Sequence, residues 1–558
     1  MRTKKIPINL ITTTFFFESL LSFSCIREKE PPNILLILCD DMGYSDLACY
    51  GSEINTPNID RLASSGIRMT RVYNSARCCP SRASLFTGLY PHQAGIGYMS
   101  NRDHGVPGYT GCLQDRSVGI SQVLKSVGYN TYMSGKWHMG GSPDPIEKGF
   151  DEFYGFTVPA HVDCWDPEAM FRLPEGRPER NYSQGEFYAT DAITDYALDF
   201  LNEGLSKSEP FFLFLSYNAP HYPLQAPKEL IDKYMPVYLK GWDTIRSKRF
   251  DRIMELGIGE PAWTLPPRSE VMIEMRGRDL GYGGEPNPAW DKFTEERQHD
   301  LARRMAVYAA MIEKIDQNIG RVIARLEESG KLDNTLIFFL SDNGANAEVN
   351  PLGFDFFEPK DNILNKGTRL DSMGLPGSFI GYGTGWAMVS NTPLNLYKHY
   401  THEGGISTPF IIHWPASIKN PGTIDKRPAH IMDIMATCIE VSGAVYPAMN
   451  NGTKVLPIEG ISFLPVIKGE KAQPRTLGFE HERNRGYLKG EWKIVSEDYR
   501  GGEWELYNIE KDRLEQDNLA SQYPEKVEEL ASEYQQWAER VLVFPQCEMT
   551  FNYLKKYR

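Results

Sequence analysis

Two apolar runs in this 558-residue chain end in the same chemistry. Asn33–Cys39 (NILLILC) delivers Asp40-Asp41-Met42-Gly43, and Thr335–Leu340 (TLIFFL) delivers Ser341-Asp342-Asn343-Gly344. Continuous apolar runs of this kind are strands buried on both faces of a sheet. Ligands of an open parallel sheet bind beyond the carboxyl ends of its strands, so carboxylates far apart in sequence can meet at one edge. Three aspartates and an asparagine offer only oxygen, which suits a hard cation such as Ca2+ better than a thiophilic metal. Taken singly, each pair could instead cap the helix that follows. Taken together, Asp40, Asp41, Asp342 and Asn343 favour the metal reading.

A second feature is Cys78-Cys79-Pro80-Ser81-Arg82-Ala83-Ser84-Leu85-Phe86-Thr87-Gly88. Pro80 fits the opening of a helix and Gly88 its end, which puts Cys78 at a helix N-terminus, where backbone N–H groups favour anions. Arg82, four residues on, shares that face and could hold the group at position 78. From residue types alone this is either a reactive cysteine beside an anion site or a buried thiol near a surface arginine. Gly135-Lys136-Trp137-His138 follows an expected strand, Asn130–Ser134, and residues two apart on an extended segment point the same way. Lys136 and His138 can therefore face one ligand. His221 follows the apolar run Pro210–Ser216 and so reaches the same sheet edge. His92 and His402 read either as structural or as groups that support the site from behind its contacting residues.

The elements that must position these groups alternate from Asn33 to about Pro415. Apolar strands are separated by amphipathic stretches such as Gly119–Val127 and Glu295–Ser329, the latter closed by Gly330. The expected fold class is α/β, a large mostly parallel sheet sandwiched by helices. Irregular insertions at Pro236–Asn287 and Ala345–Pro393 are expected to wall a substrate cleft. After about Glu459 the texture changes. Gly478–Arg483, Gly486–Leu488, Glu491–Ser496 and Glu503–Tyr507 read as short antiparallel strands, and Pro524–Val541 as a helix. The expected organisation is an export signal over residues 1–25, a catalytic domain over 31–458 and a small α+β C-terminal subdomain over 459–558.

Composition narrows the partners. Hydrophobic residues make up 41% of the chain, enough for a sizeable core, and the net charge of −13 argues against a nucleic-acid partner. Arg2, Lys4 and Lys5 followed by the apolar Ile6–Phe23 form an export signal. Cys25 after Leu21-Ser22-Phe23-Ser24 reads either as a lipoprotein attachment site or as part of an ordinary cleaved signal. The protein is thus expected beyond the cytoplasm, periplasmic or at the cell surface, touching a membrane only through that anchor. The nine cysteines lack paired metal-type spacing, and their disulfide connectivity is not legible.

The run Cys78-Cys79-Pro80-Ser81-Arg82 with Leu85-Phe86-Thr87-Gly88 resembles the signature of type I sulfatases, and the resemblance extends over nearly the whole mature chain. It implies the fold of the alkaline phosphatase superfamily, and Cys78 oxidised to formylglycine (3-oxoalanine) by a formylglycine-generating or radical maturase. It also implies a calcium site of Asp40, Asp41, position 78, Asp342 and Asn343. Gly135-Lys136-Trp137-His138-Met139-Gly140, Ala219-Pro220-His221-Tyr222-Pro223, and Lys398 ahead of Glu403-Gly404-Gly405-Ile406 match further family landmarks in order. The roles implied are charge stabilisation by Lys136 and Lys398 and leaving-group protonation by His221. His138 would take a proton from the hydrated aldehyde, and Arg82 would position it. The substrate implied is an aryl sulfate or a sulfated saccharide. Many relatives carry arginine after Glu-Gly-Gly-Ile where this chain has Ser407, so Ser407 is expected to bear on specificity. The alternatives are a phosphoester or phosphonate hydrolase of the same superfamily and a non-catalytic glycan-binding lipoprotein.

Overall fold

The computed structural model describes Met1 and residues 30–183, 185–269, 274–275, 278–279, 286–348, 351–355, 363–471, 474–497 and 502–546. Pro32–Arg558 form one compact unit, and Met1–Pro31 separate from it. The expected export signal and Cys25 lie outside the described residues.

The main sheet has ten strands: β1 (Asn33–Cys39), β2 (Ile67–Tyr73), β3 (Asn130–Lys136), β4 (Glu152–Phe156), β5 (Phe171–Leu173), β6 (Phe211–Ser216), β7 (Thr335–Ser341), β8 (Ser407–His413), β9 (Thr423–Asp425) and β10 (Ala429–His430). Their order is β9-β2-β8-β7-β1-β6-β3-β4-β5, with β10 also on β2. The centre, β7-β1-β6-β3-β4, is parallel throughout. β8 runs antiparallel to β7 and β2, and β5 antiparallel to β4. The sheet is therefore mixed, with the expected parallel core.

Register decides where chemistry can gather. Cys39 pairs with Ser341, Leu38 with Ser216, and Ser216 with Gly135, so β1, β7, β6 and β3 end level with one another. The antiparallel β8 begins where they end, which brings residues before Ser407 to the same edge. Along β1, Leu35 and Ile37 enter one core layer while Ile34, Leu36 and Leu38 enter the other. That alternation over a wholly apolar strand is what burial on both faces requires. The long helix Glu295–Glu328 fills the first layer. The helix Cys78–Thr87, buried at every residue, fills the second.

The insertion Pro236–Asn287 differs from expectation. Pro236 lies inside the helix Lys228–Tyr238, and Trp242–Glu255 is a further helix rather than an irregular wall. Proline near a helix end reads as a breaker, yet here the chain continues for two residues beyond it. From that second helix the fully buried Arg249 reaches Asp46 at 2.6 Å and Glu53 at 2.9 Å. Asp46 in turn accepts from Gly43 N–H at 2.8 Å and the Tyr308 hydroxyl at 2.7 Å. The insertion thus clamps the turn that carries Asp40 and Asp41. Gly43 is required there, because a Cβ would meet the Ser390 carbonyl oxygen at 2.5 Å.

The C-terminal segment forms a four-stranded antiparallel sheet, β11 (Thr476–His481), β12 (Asn484–Lys489), β13 (Trp492–Ser496) and β14 (Glu505–Asn508), with the helix Pro524–Arg540. Its core is shared with Tyr73, Tyr90, Ile406 and Met432 of the main unit. A buried ion cluster reinforces that junction. Lys493 on β13 lies 2.9 Å from Glu403 and 2.8 Å from Glu515, and Arg513 Nε lies 2.9 Å from Glu403. Burial would raise the Glu403 carboxyl, but Lys493 and Arg513 outweigh it and hold it at about 2. Ser407 belongs to this cluster: it is fully buried, its hydroxyl donates to Glu403 at 3.1 Å, and Arg513 donates to it at 3.3 Å. This corrects the expectation that Ser407 bears on specificity. The small side chain makes room for Arg513, which brings a guanidinium from elsewhere in the chain. Lys493→Met takes the lysine from buried Glu515, leaves Glu403 to Arg513 alone, and should lower the unfolding free energy by about 3–5 kcal/mol in denaturant titrations. A loss below about 1 kcal/mol would show that the cluster does not hold the junction.

Candidate active site

Six segments contribute to one buried centre at the level strand ends. Asp40 and Asp41 follow β1, with Asp41 in the left-handed region at φ 64. Asp342 and Asn343 follow β7. Cys78 opens its helix after the extended N-cap Arg77, and Gly88 closes it at φ 71. Pro80 is the third helical residue rather than the first, still within the turn whose N–H groups have no partner in the helix. Lys136 is the last residue of β3, while His138 lies beyond the strand at φ 54. The extended geometry expected to align the two stops short of His138, and its left-handed backbone turns the ring toward the cysteines instead. Cys78, Lys398 and His221 are all at most 3% exposed.

Arg82 ties the strand ends together. Its Nε donates to Asp342 at 2.9 Å, and Nη1 donates to the Lys136 carbonyl at 2.9 Å and the Ser216 hydroxyl at 2.7 Å. These bonds go to the neighbours of position 78, so Arg82 acts on that position through Asp342 and β3. Lys136 Nζ donates to Asp40 Oδ2 and to the Ala160 carbonyl. Asp41 is more heavily partnered: Oδ1 accepts from Asn343 at 2.7 Å, and Oδ2 from Asn346 at 2.6 Å and Lys398 at 3.0 Å. His221 Nε2 also stands 3.3 Å from Asp41 Oδ2.

The electrostatics follow from crowding three carboxylates out of water. Burial pushes the Asp40 carboxyl up to about 6, with Lys136 and Arg82 pulling against it. Asp342 is raised well above its ordinary value by burial and then by the charge of Asp40. At Asp41 burial acts the same way, but Lys398 and His221 prevail and hold it below its ordinary value. Two buried oxygens at this point, Asp40 Oδ1 and Asn343 Oδ1, have no hydrogen-bond partner among the described residues. Orphaned oxygen acceptors within a cluster of three buried carboxylates fit a hard divalent cation, as the all-oxygen donor set does.

Cys78, Cys79 and His138 also converge, with Cys79 Sγ 3.3 Å from His138 Nε2. A bond from Cys79, then the charges of His138, Lys136 and Lys398, hold the Cys78 thiol well below its ordinary value despite burial. Burial pushes both imidazoles, His138 and His221, down to about 4. His221 Nδ1 is 2.6 Å from the Tyr222 carbonyl, which commits that nitrogen as a donor and leaves Nε2 as the atom that gains or loses a proton. The arrangement can bind an oxyanion between two ammonium groups and move a proton beside it.

All the residues expected at the site are brought together. The reading from sequence missed Asn346, Glu348, Arg77 and His399. Asn346 bonds Asp41, and Glu348 stands 3.7 Å from Lys398 and accepts from His399. Adjacency was the available signal, since Arg77 precedes Cys78, His399 follows Lys398, and Asn346 and Glu348 lie just beyond Asn343. His92 and His402 do pair with glutamates away from the centre, His92 with Glu480 at 2.8 Å and His402 with Glu505 at 3.3 Å. Among the described residues no cysteine is in a disulfide, and no helix is long and apolar enough to cross a membrane.

Comparison with known proteins agrees with this geometry. The family described as Sulfatase matches residues 32–444. An uncharacterized sulfatase of Schizosaccharomyces pombe is 35% identical over 537 residues, covering 91% of this chain and 94% of that protein. An arylsulfatase of Klebsiella aerogenes is 35% identical over 460 residues, covering 80% and 94%. The crystal structure of Ps i-CgsB in complex with k-i-k-neocarrahexaose superposes with a TM-score of 0.62 at 25% identity, covering 91% of this chain and 93% of that one. With its landmarks in order and their side chains at one sheet edge, this chain belongs to the sulfatase family, in the alkaline phosphatase superfamily, and is a sulfuric ester hydrolase.

Proposed function

We propose that the protein hydrolyses the sulfate esters of saccharides, using formylglycine formed from Cys78 and a calcium ion held by Asp40, Asp41, Asp342 and Asn343. The observation that carries this reading is the gathering of Cys78, the orphaned oxygens of Asp40 and Asn343, and the ammonium groups of Lys136 and Lys398 within electrostatic reach of one another at one sheet edge. A thiolate is a soft ligand and a poor partner for that oxygen set. When present, the cation and the hydrated aldehyde would together supply an activated oxygen nucleophile at position 78.

The remaining work falls to the chain's own side chains. Lys136 and Lys398, each on one aspartate, take up the negative charge of the sulfuryl oxygens. Arg82 holds Asp342 and the end of β3 in register with position 78. His221 carries a proton at Nε2 for the departing alcohol. Its imidazole is neutral at working pH in the free protein, and the neighbouring Asp41 and an anionic substrate both favour the protonated form. His138, beside the cysteines, is neutral as well and suits proton removal at position 78. The saccharide reading is supported by the relative bound to neocarrahexaose, and export by the basic and apolar start of the chain, with Cys25 lipidated or removed. A formylglycine-generating or radical maturase would act on Cys78.

Three outcomes are expected. Peptide mass at Cys78 should show the aldehyde, and Cys78→Ala should lower turnover on the order of 10⁴-fold while the protein stays folded. Wild-type activity in that variant would sink the mechanism. Calcium at a hundredfold excess over Kd should stabilise the metal-free protein by about 2.7 kcal/mol in thermal unfolding. Asn343→Ala should remove most of that gain, and an equal gain in the variant would put the cation elsewhere. Inhibition by inorganic sulfate should tighten as pH falls from about 8 to about 5.5, because the complex takes up a proton that free His221 does not hold. His221→Gln should flatten the dependence; a flat profile in the wild type would remove His221 from the proton path.

A further inference from the structure

Beside Cys78 lies a second group of ionisable side chains that sulfate chemistry leaves unused. Arg77, immediately before Cys78, places Nη1 2.8 Å from Glu482 and Nη2 3.3 Å from Glu348. His399, immediately after Lys398, places Nδ1 2.7 Å from Glu482 and Nε2 2.6 Å from Glu348. Glu482 and Arg483 form the tip between β11 and β12, both with left-handed backbone at φ 51 and 69. The C-terminal sheet thus delivers a carboxylate to the mouth of the centre built by the main sheet. Glu348 is sealed at 2% side-chain exposure, whereas Arg77, His399 and Glu482 remain open at 12%, 14% and 25%.

Donor atoms of His399, His481 and Glu482 lie close enough to ligate a metal. The guanidinium of Arg77 argues against one, since its Nη1 is 2.8 Å from both His399 Nδ1 and Glu482 Oε1 and already supplies the cation. What remains is a balanced set, two carboxylates against a guanidinium and an imidazole. Glu482 and Glu348 outweigh burial and Arg77 to hold that imidazole above its ordinary value. Unspent capacity remains as well: Arg77 Nε and both ring nitrogens of the fully buried His481 have no hydrogen-bond partner among the described residues.

A balanced cluster has no net charge with which to draw a second sulfate or a carboxylate. It does present acceptors and donors side by side, which is what a hydroxyl needs, since each hydroxyl donates once and accepts through its lone pairs. Bonds of this kind to ionised partners are the strong ones, and an aryl ring offers nothing to make them. We infer that Arg77, His399 and Glu482 form the subsite for the sugar that carries the scissile sulfate, selecting a neutral ring with free hydroxyl groups. The inference rests on the reading of position 78 as the centre where the sulfate ester is cleaved.

The test uses full-length, calcium-loaded protein with the aldehyde verified by mass, as wild type, Arg77→Gln and Glu482→Gln. Values of kcat/KM are measured on 4-nitrophenyl sulfate and on monosulfated galactose, glucose, N-acetylgalactosamine and N-acetylglucosamine. The ratio of the best sugar sulfate to the aryl sulfate should fall at least about tenfold in each variant, mainly through KM. Unchanged ratios, or parallel losses on both substrate types, would overturn the subsite. So would a wild type that cleaves the aryl sulfate and none of the sugars, with the sulfatase reading intact. A wild type inactive on every substrate would remove the subsite together with the reading beneath it. Should Arg77→Gln impair aldehyde formation at the adjacent residue, Glu482→Gln on the hairpin tip decides alone.

Discussion

Everything at the functional edge depends on burying three carboxylates within reach of one another. Asp40, Asp41 and Asp342 are each no more than 1% exposed, and an ionised group in that position is tolerable only with matched countercharge. Lys136, Arg82 and Lys398 supply it, one drawn from a strand, one from a helix and one from the turn ahead of β8. The oxygens of Asp40 and Asn343 are nevertheless left without a donor among the described residues. A cation held there would satisfy these acceptors.

The fold meets this demand through register. Because β1, β7, β6 and β3 finish level, a side chain just past each end points into the same small volume. Close backbone contacts keep it small. A Cβ on Gly344 would lie 1.8 Å from the Gly404 carbonyl oxygen, so the turn after β7 and the segment before β8 touch without an intervening side chain. The left-handed conformations of Asp41 and His138 show the cost of converging so many groups, of the kind that surrounding structure must over-determine.

Much of this was legible in the sequence. The strands Asn33–Cys39 and Thr335–Ser341 announce themselves as unbroken apolar runs, and the aspartates after them inherit their position from the sheet. The helix Cys78–Thr87 could be framed by its proline and glycine. Legibility ended where contacts depend on packing between distant segments. Nothing local distinguishes Glu482 as a residue that reaches Arg77, because a hairpin tip with two positive φ values sets its direction. Ser407 misled for a similar reason: its neighbourhood is fixed by Arg513 and Lys493, which no spacing rule links to it. The helix Trp242–Glu255 was obscured by the proline and glycine residues around it.

The burial of the helix Cys78–Thr87 has a consequence in time. Cys78 is 2% exposed, and the residues that enclose it come from as far along the chain as Lys398. Contacts of such sequence separation form late, after loop closure has been accomplished. On the proposed reading, an enzyme that converts this cysteine would reach it before the chain has folded around it, so the conversion would run against a clock set by the folding of the protein's own C-terminal half. A variant that folds faster would shorten that interval.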